Sequence, residues 1–133
     1  MIKTDEKTVA NYMVHSTTTI HCDAAVSEAV RLLLKIGLPG CAVVDDTRKV
    51  IGFVSEQDCL RYMLESRYHR SETKQVKDVM SSPVLSVEPG MDIVELAQMM
   101  SGPKPKIYPV IERGKLLGEI RRNDILRALF ESR

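Results

Sequence analysis

Hydrophobic residues recur at helical spacing in two stretches of the 133-residue chain. In the first stretch, Asp23 is the predicted N-cap of a helix that ends near Gly37. In the second, the predicted helix runs from Met91 to Met100 and stops at Ser101-Gly102-Pro103. The apolar residues of each helix fall on one face, which we expect to pack inward. The aligned positions are Val26, Ala29, Val30 and Leu33 in the first helix and Ile93, Leu96, Ala97 and Met100 in the second.

Each of these helices leads into two apolar stretches joined by a short polar turn, a pattern typical of a β-hairpin, and then into a closing helix. On the first closing helix we expect Cys59, Leu60, Met63 and Leu64 to face inward. The predicted elements are a helical entry over 8–13, a β-branched stretch over 17–21, hairpin strands over 41–44 and 50–54, a closing helix from about Glu56, hairpin strands over 107–111 and 116–120, and a closing helix over 123–130.

The order of the elements reflects an internal repeat. Residues 9–13 return as residues 76–80, an offset of 67 (76 − 9), and residues 58–61 return as 124–127, an offset of 66 (124 − 58). One residue is lost in a polar turn, where a deletion disturbs no buried backbone. Because each copy is too small to close a core alone, we expect the copies to pack on each other, with a site at the seam.

The predicted architecture is an α/β fold of two tandem β-α-β-β-α repeats, packed on each other with pseudo-two-fold symmetry. The first repeat covers residues 1–64, a charged linker covers 65–75, and the second repeat covers 76–133. In each copy, a helix between two strands gives a parallel strand pair, and the hairpin adds an antiparallel pair.

Charge and composition exclude several functional classes. A formal net charge of +1, from 19 basic and 18 acidic residues, gives no strong field to attract nucleic acid or an anionic membrane. The start of the chain lacks the apolar core of a signal peptide, and no apolar run approaches the ~20 residues that span a bilayer. Three widely spaced cysteines argue against a disulfide framework. We therefore expect a cytoplasmic protein without nucleic-acid or membrane partners.

The segment Gly52-Phe53-Val54-Ser55-Glu56-Gln57-Asp58 lies where a predicted strand passes into a helix. Ser55 and Asp58 have the spacing of a capping box, which satisfies the free amides of a helix start. The same free amides and hydroxyl can bind a phosphate, and a carboxylate one turn on can accept bonds from two sugar hydroxyls. The two interpretations are compatible.

This segment, together with two others, resembles a tandem pair of cystathionine-β-synthase (CBS) domains, a nucleotide-sensing unit also called a Bateman module. The other two segments are Val76-Lys77-Asp78-Val79-Met80 and Tyr108-Pro109-Val110-Ile111-Glu112. The similarity extends from about Val9 to Phe130. It implies two clefts per pair that commonly hold AMP, ADP, ATP or S-adenosylmethionine, and pairs that commonly assemble into disk-like dimers.

The resemblance also implies roles for individual residues. Ser55 would face a phosphate, Asp58 would bind ribose hydroxyls, and Asp124 keeps the ribose position in the second copy. The walls around the adenine would be Thr19, Ile20, Gly40, Cys41 and Ala42 in the first copy, and Ser86, Val87, Ile107, Tyr108 and Pro109 in the second.

Two positions depart from the family pattern. Arg121 stands where the first copy has the Ser55 hydroxyl. An arginine there could grip a phosphate bidentately, or its bulk could fill the second cleft. Ala42 replaces the proline expected before Val43. The cleft with Ser55 and Asp58 is therefore the stronger candidate for ligand binding.

A separate cluster of His15, His21, Cys22 and Asp23 suggests a metal site. Adjacent residues on a strand point to opposite faces, however, so His21 and Cys22 are not expected to share an ion. The sequence therefore predicts no metal site and no cofactor.

Catalysis is not expected either. The chain lacks a nucleophile–base pair, a Gly-rich phosphate loop and a carboxylate dyad of catalytic spacing, and Cys41 and Cys59 fit a core.

The predicted function is that of a stand-alone regulatory module that binds an adenine nucleotide or S-adenosylmethionine and signals by conformational change to a regulated protein. The alternative is a ligand-free, dimerising interaction scaffold. Apolar helix faces at Val26/Val30/Leu33 and Ile93/Ala97/Met100 predict a homodimer in either case.

Overall fold

The computed structural model describes residues 7–15, 18–69 and 74–131, without the side chains of residues 68 and 69. This part of the chain forms two compact units. The first unit contains the described residues between 18 and 85, and the second combines residues 7–15 with residues 86–131. Thr17 of the predicted β-branched stretch and residues 70–73 of the predicted linker lie outside the described residues.

The first unit has the mixed sheet that the sequence predicts. It consists of β1 (Thr19–His21), α1 (Val26–Ile36), β2 (Gly40–Val44), β3 (Val50–Ser55), α2 (Glu56–His69) and α3 (Val76–Val79). Strand β1 runs parallel to β2, and β2 runs antiparallel to β3. The predicted parallel pair and hairpin are therefore both confirmed in this unit.

The two ends of α1 differ in how well the sequence predicts them. Gly37 ends the helix as expected, with a left-handed φ of 70° that glycine adopts without strain. The predicted N-cap at Asp23 is wrong, because the helix begins later, at Val26. The Asp23 carboxylate instead accepts a bond from the Lys77 ammonium at 3.0 Å. That partner is distant in the sequence, so local pattern alone does not reveal it.

Helix α2 buries less of its apolar face than the sequence predicts. Of the four side chains expected to face inward, Cys59 is buried at 5% exposure. Leu60, Met63 and Leu64 are 60%, 45% and 53% exposed, so their predicted burial is wrong. The helix also continues through His69, into the segment predicted as linker. It therefore presents apolar side chains that its own unit does not cover.

The second unit repeats the first with a smaller sheet. It consists of a 3-10 turn (Val9–Asn11), α4 (Ile93–Met100), β4 (Ile107–Glu112), β5 (Lys115–Arg121) and α5 (Arg122–Glu131). Strands β4 and β5 form the predicted antiparallel hairpin. The expected parallel partner is reduced to one bridge between Val87 and Val110. The core contains Val9, Met13, Val87, Ile93, Leu96, Met100, Tyr108, Val110, Ile120, Ile125 and Ala128.

A glycine lets an incoming segment approach each hairpin closely. In the second unit, the Val14 N–H donates to the Glu119 carbonyl at 2.8 Å, and the Val14 carbonyl accepts from the Glu119 N–H at 2.9 Å. A Cβ on the neighbouring Gly118 would collide with the Val14 carbonyl oxygen. Gly52 has the same part in the first unit, where a Cβ would lie 2.9 Å from the Ser81 carbonyl oxygen. Both repeats therefore need glycine at this position.

The compact units are not divided at the predicted repeat boundaries. Residues 7–15 lie before the strands of the first repeat but belong to the second unit, whereas residues 74–85 belong to the first unit. The division into 1–64, 65–75 and 76–133 stays a prediction about the copies in the sequence. Within the described ranges, no helix is both long enough and apolar enough to cross a membrane.

Candidate functional site

A capping box closes the junction between β3 and α2. The backbone N–H and the hydroxyl of Ser55 both donate to Oδ2 of Asp58, at 2.9 Å each. The Ser55 hydroxyl oxygen accepts in turn from the Asp58 N–H at 3.1 Å. The Glu56 N–H donates to the Pro39 carbonyl at 2.8 Å. The capping interpretation is therefore confirmed. The Ser55 hydroxyl proton, which a phosphate could otherwise accept, is donated to Asp58.

The capping box leaves the second oxygen of Asp58 to other partners. Asp58 is 8% exposed, and its Oδ1 lies 3.6 Å from Nη1 of Arg61 in a long ion pair. The Arg61 side chain is 65% exposed, so this pair is weak and can be displaced. One carboxylate can therefore cap the helix with Oδ2 and accept hydrogen bonds from a ligand with Oδ1.

The same arrangement recurs where β5 passes into α5. Oδ2 of Asp124 accepts the Arg121 N–H at 2.9 Å, and Oδ1 lies 3.5 Å from Nη2 of Arg127. The Arg122 N–H donates to the Lys106 carbonyl at 2.9 Å. Asp124 is 4% exposed. Each unit thus holds a buried aspartate, anchored by an amide three residues earlier and flanked by an arginine three residues later.

The side chain of Arg121 forms an ion pair that the sequence analysis missed. Its Nε and Nη2 both donate to Oε2 of Glu119, at 3.0 and 2.7 Å. Glu119 is 6% exposed, so the guanidinium offsets the cost of burying its charge. The spacing of Glu119 and Arg121 could have indicated this ion pair, because side chains two residues apart on a strand lie on the same face. The two roles expected for Arg121 stay predictions.

The residues expected to wall the adenine in the first unit divide between two sheet faces. Residues that pair directly across strands share a face, and neighbours along a strand alternate. Ile20 pairs with Val43, and Cys41 pairs with Val54, so their side chains point away from the capping box. The face that carries the capping box carries Thr19, Gly40, Ala42 and Ser55.

In the second unit, the face with the ion pair carries two of the predicted wall residues. Ile107 pairs with Arg121, and Pro109 pairs with Glu119, so all four side chains share one side of the hairpin. The Val87 N–H donates to the Pro109 carbonyl at 3.0 Å, which holds that segment against β4. Val87 itself pairs with Val110 and packs in the core, so the structure brings Ile107 and Pro109, but not the Val87 side chain, to the face of the ion pair.

Tyr108 and Ser86 are the remaining predicted wall residues of the second unit. Tyr108 pairs with Ile120 and belongs to the core of the second unit. Within the described part of the chain its buried hydroxyl has no hydrogen-bond partner, and burial raises the pKa of this hydroxyl above its ordinary value. Ser86 is exposed. Their predicted ligand contacts remain predictions.

The two core thiols are poor candidates for chemistry. Cys41 is 1% exposed and Cys59 is 5% exposed, as the apolar pattern predicts. Burial raises the pKa of the Cys59 thiol, and the Asp58 carboxylate raises it further. A buried thiol with a raised pKa is a weak nucleophile.

The cluster at the end of β1 is arranged differently from the sequence expectation. His21 is the last residue of the strand, and Cys22 and Asp23 lie in the turn that follows, where strand alternation no longer applies. The ligand atoms of these three side chains lie within 4.8 Å of one another. The geometric reason for excluding a shared ion is therefore wrong for these residues. His15 does not belong to this group.

The fold and the two junctions define a tandem α/β repeat with one buried, anchored aspartate in each copy. A model of the CBS domain family matches residues 9–65 and again residues 76–131. The chain therefore belongs to the CBS domain family and contains two copies of the domain, which confirms the resemblance and the predicted mixed α/β fold.

Solved structures that are similar to this chain include a CBS-pair protein, and curated proteins match most of this chain. A crystal structure of CBSX2 in complex with AMP is 26% identical, with a TM-score of 0.81, and the match covers 94% of this chain and 97% of that one. A structure of CBSX2 from Arabidopsis thaliana is 25% identical, with a TM-score of 0.79 and coverage of 94% and 95%. An uncharacterized Methanocaldococcus jannaschii protein is 25% identical over 121 residues. That match covers 91% of this chain but 42% of the relative, and the next two curated relatives are covered to 39% and 22% of their length.

Proposed function

We propose that the chain is a regulatory module that binds an adenosyl ligand at the Ser55–Asp58 junction of its first unit and performs no chemistry on it. The burial of Asp58 and Asp124, at 8% and 4% exposure, carries this proposal. Asp78 and Asp92 accept helix-start amides at 2.9 and 3.1 Å while exposed. Capping therefore does not require burial, and burial of a carboxylate is costly unless another role retains it.

The geometry of the junction suits a ribose and an adenine. Oδ1 of Asp58 would accept the two ribose hydroxyls once Arg61 moves aside. Thr19, Gly40 and Ala42, on the sheet face that carries Ser55, would line the adenine. Binding of a phosphate to Ser55 requires its hydroxyl proton to turn away from Asp58, so we expect the ribose contact to contribute more than the phosphate contact.

The AMP complex of CBSX2 supports the ligand class, because that protein is similar over nearly its whole length. Signalling would follow from differential binding, since a ligand that prefers one conformation raises its population and a regulated protein can read the change. Cys22, Cys41 and Cys59 form no disulfide within the described part of the chain, which suits the cytoplasmic location that we propose.

A calorimetric and thermal-shift panel tests this function. We expect AMP, ADP, ATP or S-adenosylmethionine to raise the melting temperature, and a ligand at 100 times its Kd to stabilise the chain by about 2.7 kcal/mol. GMP and inorganic phosphate are the controls for base and phosphate alone, and we expect them to give smaller shifts. Failure of all four adenosyl compounds to bind at millimolar concentration would contradict the proposal and favour the interaction scaffold.

A homodimer is the second part of the proposal, on a surface that overlaps the first of the two helix faces predicted from the sequence. Val26, Ile93 and Met100 are buried within their own units, at 0%, 2% and 4% exposure, so they are not available to a partner. The first unit instead has an open apolar groove of about 360 Å³ between α1 and α2. The groove is lined by Val30, Leu33, Leu34, Glu56, Cys59, Leu60 and Met63.

A second copy of this chain is the occupant that we propose for the groove. Leu34 and Leu60, on opposite sides of it, are 77% and 60% exposed, which is unusual for leucines gathered in one patch. A net charge of +1 offers little repulsion between two copies.

Sedimentation of matched leucine variants tests the dimer. We expect a dimer at micromolar concentration for the parent chain and mostly monomer for Leu60→Lys, because a charge in the groove must be desolvated on association. Leu85→Lys is the control, since Leu85 is 57% exposed in the same unit but lies outside the groove. A monomeric parent across the micromolar range, or equal effects of the two variants, would contradict the dimer.

A further inference from the structure

The turn after β1 has a counterpart in the second repeat that is built from different residues. His21-Cys22-Asp23 corresponds to Glu88-Pro89-Gly90 at an offset of 67 (88 − 21). In the first repeat, the Ala24 N–H donates to the His21 carbonyl at 3.0 Å, and the equivalent bond in the second repeat measures 3.1 Å. The backbone of this turn therefore forms without an imidazole on its first residue, a thiol on its second or a carboxylate on its third.

The ligand atoms of the three side chains lie slightly farther apart than those around a tetrahedrally coordinated ion. Sγ of Cys22 is 3.9 Å from Nδ1 of His21 and 3.7 Å from Oδ1 of Asp23, and Oδ2 of Asp23 is 4.0 Å from Nδ1. Zinc bonds of about 2.0 Å to nitrogen or oxygen and about 2.3 Å to sulfur place tetrahedral ligands roughly 3.3–3.6 Å apart. With one ligand atom from each residue, the three atoms lie within 4.8 Å of one another, so contractions of up to about 1.5 Å would place them around one ion.

Asp46 orients the imidazole from its other side. Nε2 of His21 lies 2.7 Å from Oδ1 of Asp46, and Nδ1 accepts the Asp23 N–H at 3.0 Å. This pattern places the ring proton on Nε2 and leaves Nδ1 as the unprotonated nitrogen, which is the ring atom that an ion would bind. A carboxylate on the distal ring nitrogen is the usual support of a metal-binding histidine.

We propose that His21, Cys22 and Asp23 form a binding site for Zn²⁺ or a divalent ion of similar ligand preference, with Asp46 as the positioning residue. The thiolate–imidazole–carboxylate set selects such an ion over Mg²⁺ or Ca²⁺, which prefer oxygen ligands alone. Lys77 lies 3.0 Å from Oδ1 of Asp23, so Oδ2 is the oxygen left for the ion. Binding replaces the Asp23 N–H on Nδ1 with the metal, and a fourth position stays open.

Titration of the full chain with Co²⁺, a spectroscopic substitute for Zn²⁺, tests the site. We expect one Co²⁺ per chain with the charge-transfer absorption of a cobalt–thiolate bond, reversed by Zn²⁺. Cys22→Ser should abolish the absorption, and Asp46→Asn should weaken binding about 10–100-fold, as loss of a supporting carboxylate does elsewhere. Lys77→Met should strengthen binding, because it removes a positive charge from the edge of the site.

Two control variants separate this site from incidental binding. His15→Ala removes an exposed histidine outside the cluster, and Cys59→Ala removes a core thiol, so both should keep the absorption. Circular dichroism confirms that each variant is folded. Absorption that survives Cys22→Ser, absorption lost in Cys59→Ala, or the absence of a 1:1 complex at micromolar Co²⁺ would overturn the proposal.

Discussion

The Asp58→Ala variant is expected to bind AMP at least tenfold more weakly than the parent chain. Oδ1 of Asp58 is the acceptor that we assign to the ribose hydroxyls, and each hydrogen bond to a charged group contributes about 1.5–3 kcal/mol. Loss of Oδ2 also removes the bond from the Ser55 N–H, which should lower the free energy of unfolding by about 1 kcal/mol. Isothermal titration calorimetry and chemical denaturation measure the two effects separately.

Asp92→Ala is the matched control for the capping contribution. Asp92 accepts the Glu95 N–H at 3.1 Å as the N-cap of α4, and it is exposed. We expect this variant to lose a similar amount of stability with unchanged AMP affinity. Equal AMP affinity for Asp58→Ala and the parent would mean that Asp58 only caps the helix. If the parent itself binds no adenosyl compound, the proposed function is wrong, and the variant does not test the role of Asp58.

Sequence pattern was sufficient where the determining interaction is local. The helix stop at Gly37, both hairpins, and the capping box of Ser55 and Asp58 each depend on residues within a few positions of one another. The internal repeat adds an independent check, because the Asp124 junction can be compared with the Asp58 junction before any coordinates are known. These parts of the fold and site were accordingly predictable.

The errors arise where the partner is distant in the sequence or where an element ends. The Asp23 carboxylate bonds Lys77 across 54 positions, which removes it from its predicted cap. Strand β1 ends at His21, so Cys22 lies outside the strand. The alternation of side chains between the two faces of a strand therefore does not apply to this pair. Leu60 fits a helical apolar face, but periodicity does not say how far the unit's own surface extends to cover that face.

The Glu119→Gln variant is expected to bind ATP at least tenfold more tightly than the parent at the second junction. In the parent, Oε2 of Glu119 takes two donors of Arg121, so the guanidinium charge is largely neutralised. An uncharged amide of the same shape should release Arg121 to a phosphate, a bond of about 1.5–3 kcal/mol. The fold should persist, because the Glu119 backbone bonds to Val14 are unchanged. Calorimetry with AMP and ATP at two salt concentrations measures the effect.

The double variant Glu119→Gln/Arg121→Ser shows whether Arg121 is responsible for the tighter binding of ATP. It places the first repeat's serine at the second junction, so we expect the preference for ATP over AMP and the salt dependence to disappear. Arg121→Ser alone should create a binding event absent from the parent if the bulk of the arginine, rather than its pairing with Glu119, keeps the ligand out. Because a freed guanidinium adds affinity with each phosphate, ATP should gain more than AMP in Glu119→Gln. Identical stoichiometry, salt dependence and nucleotide preference in all four proteins would show that Glu119 and Arg121 form a structural ion pair with no part in binding.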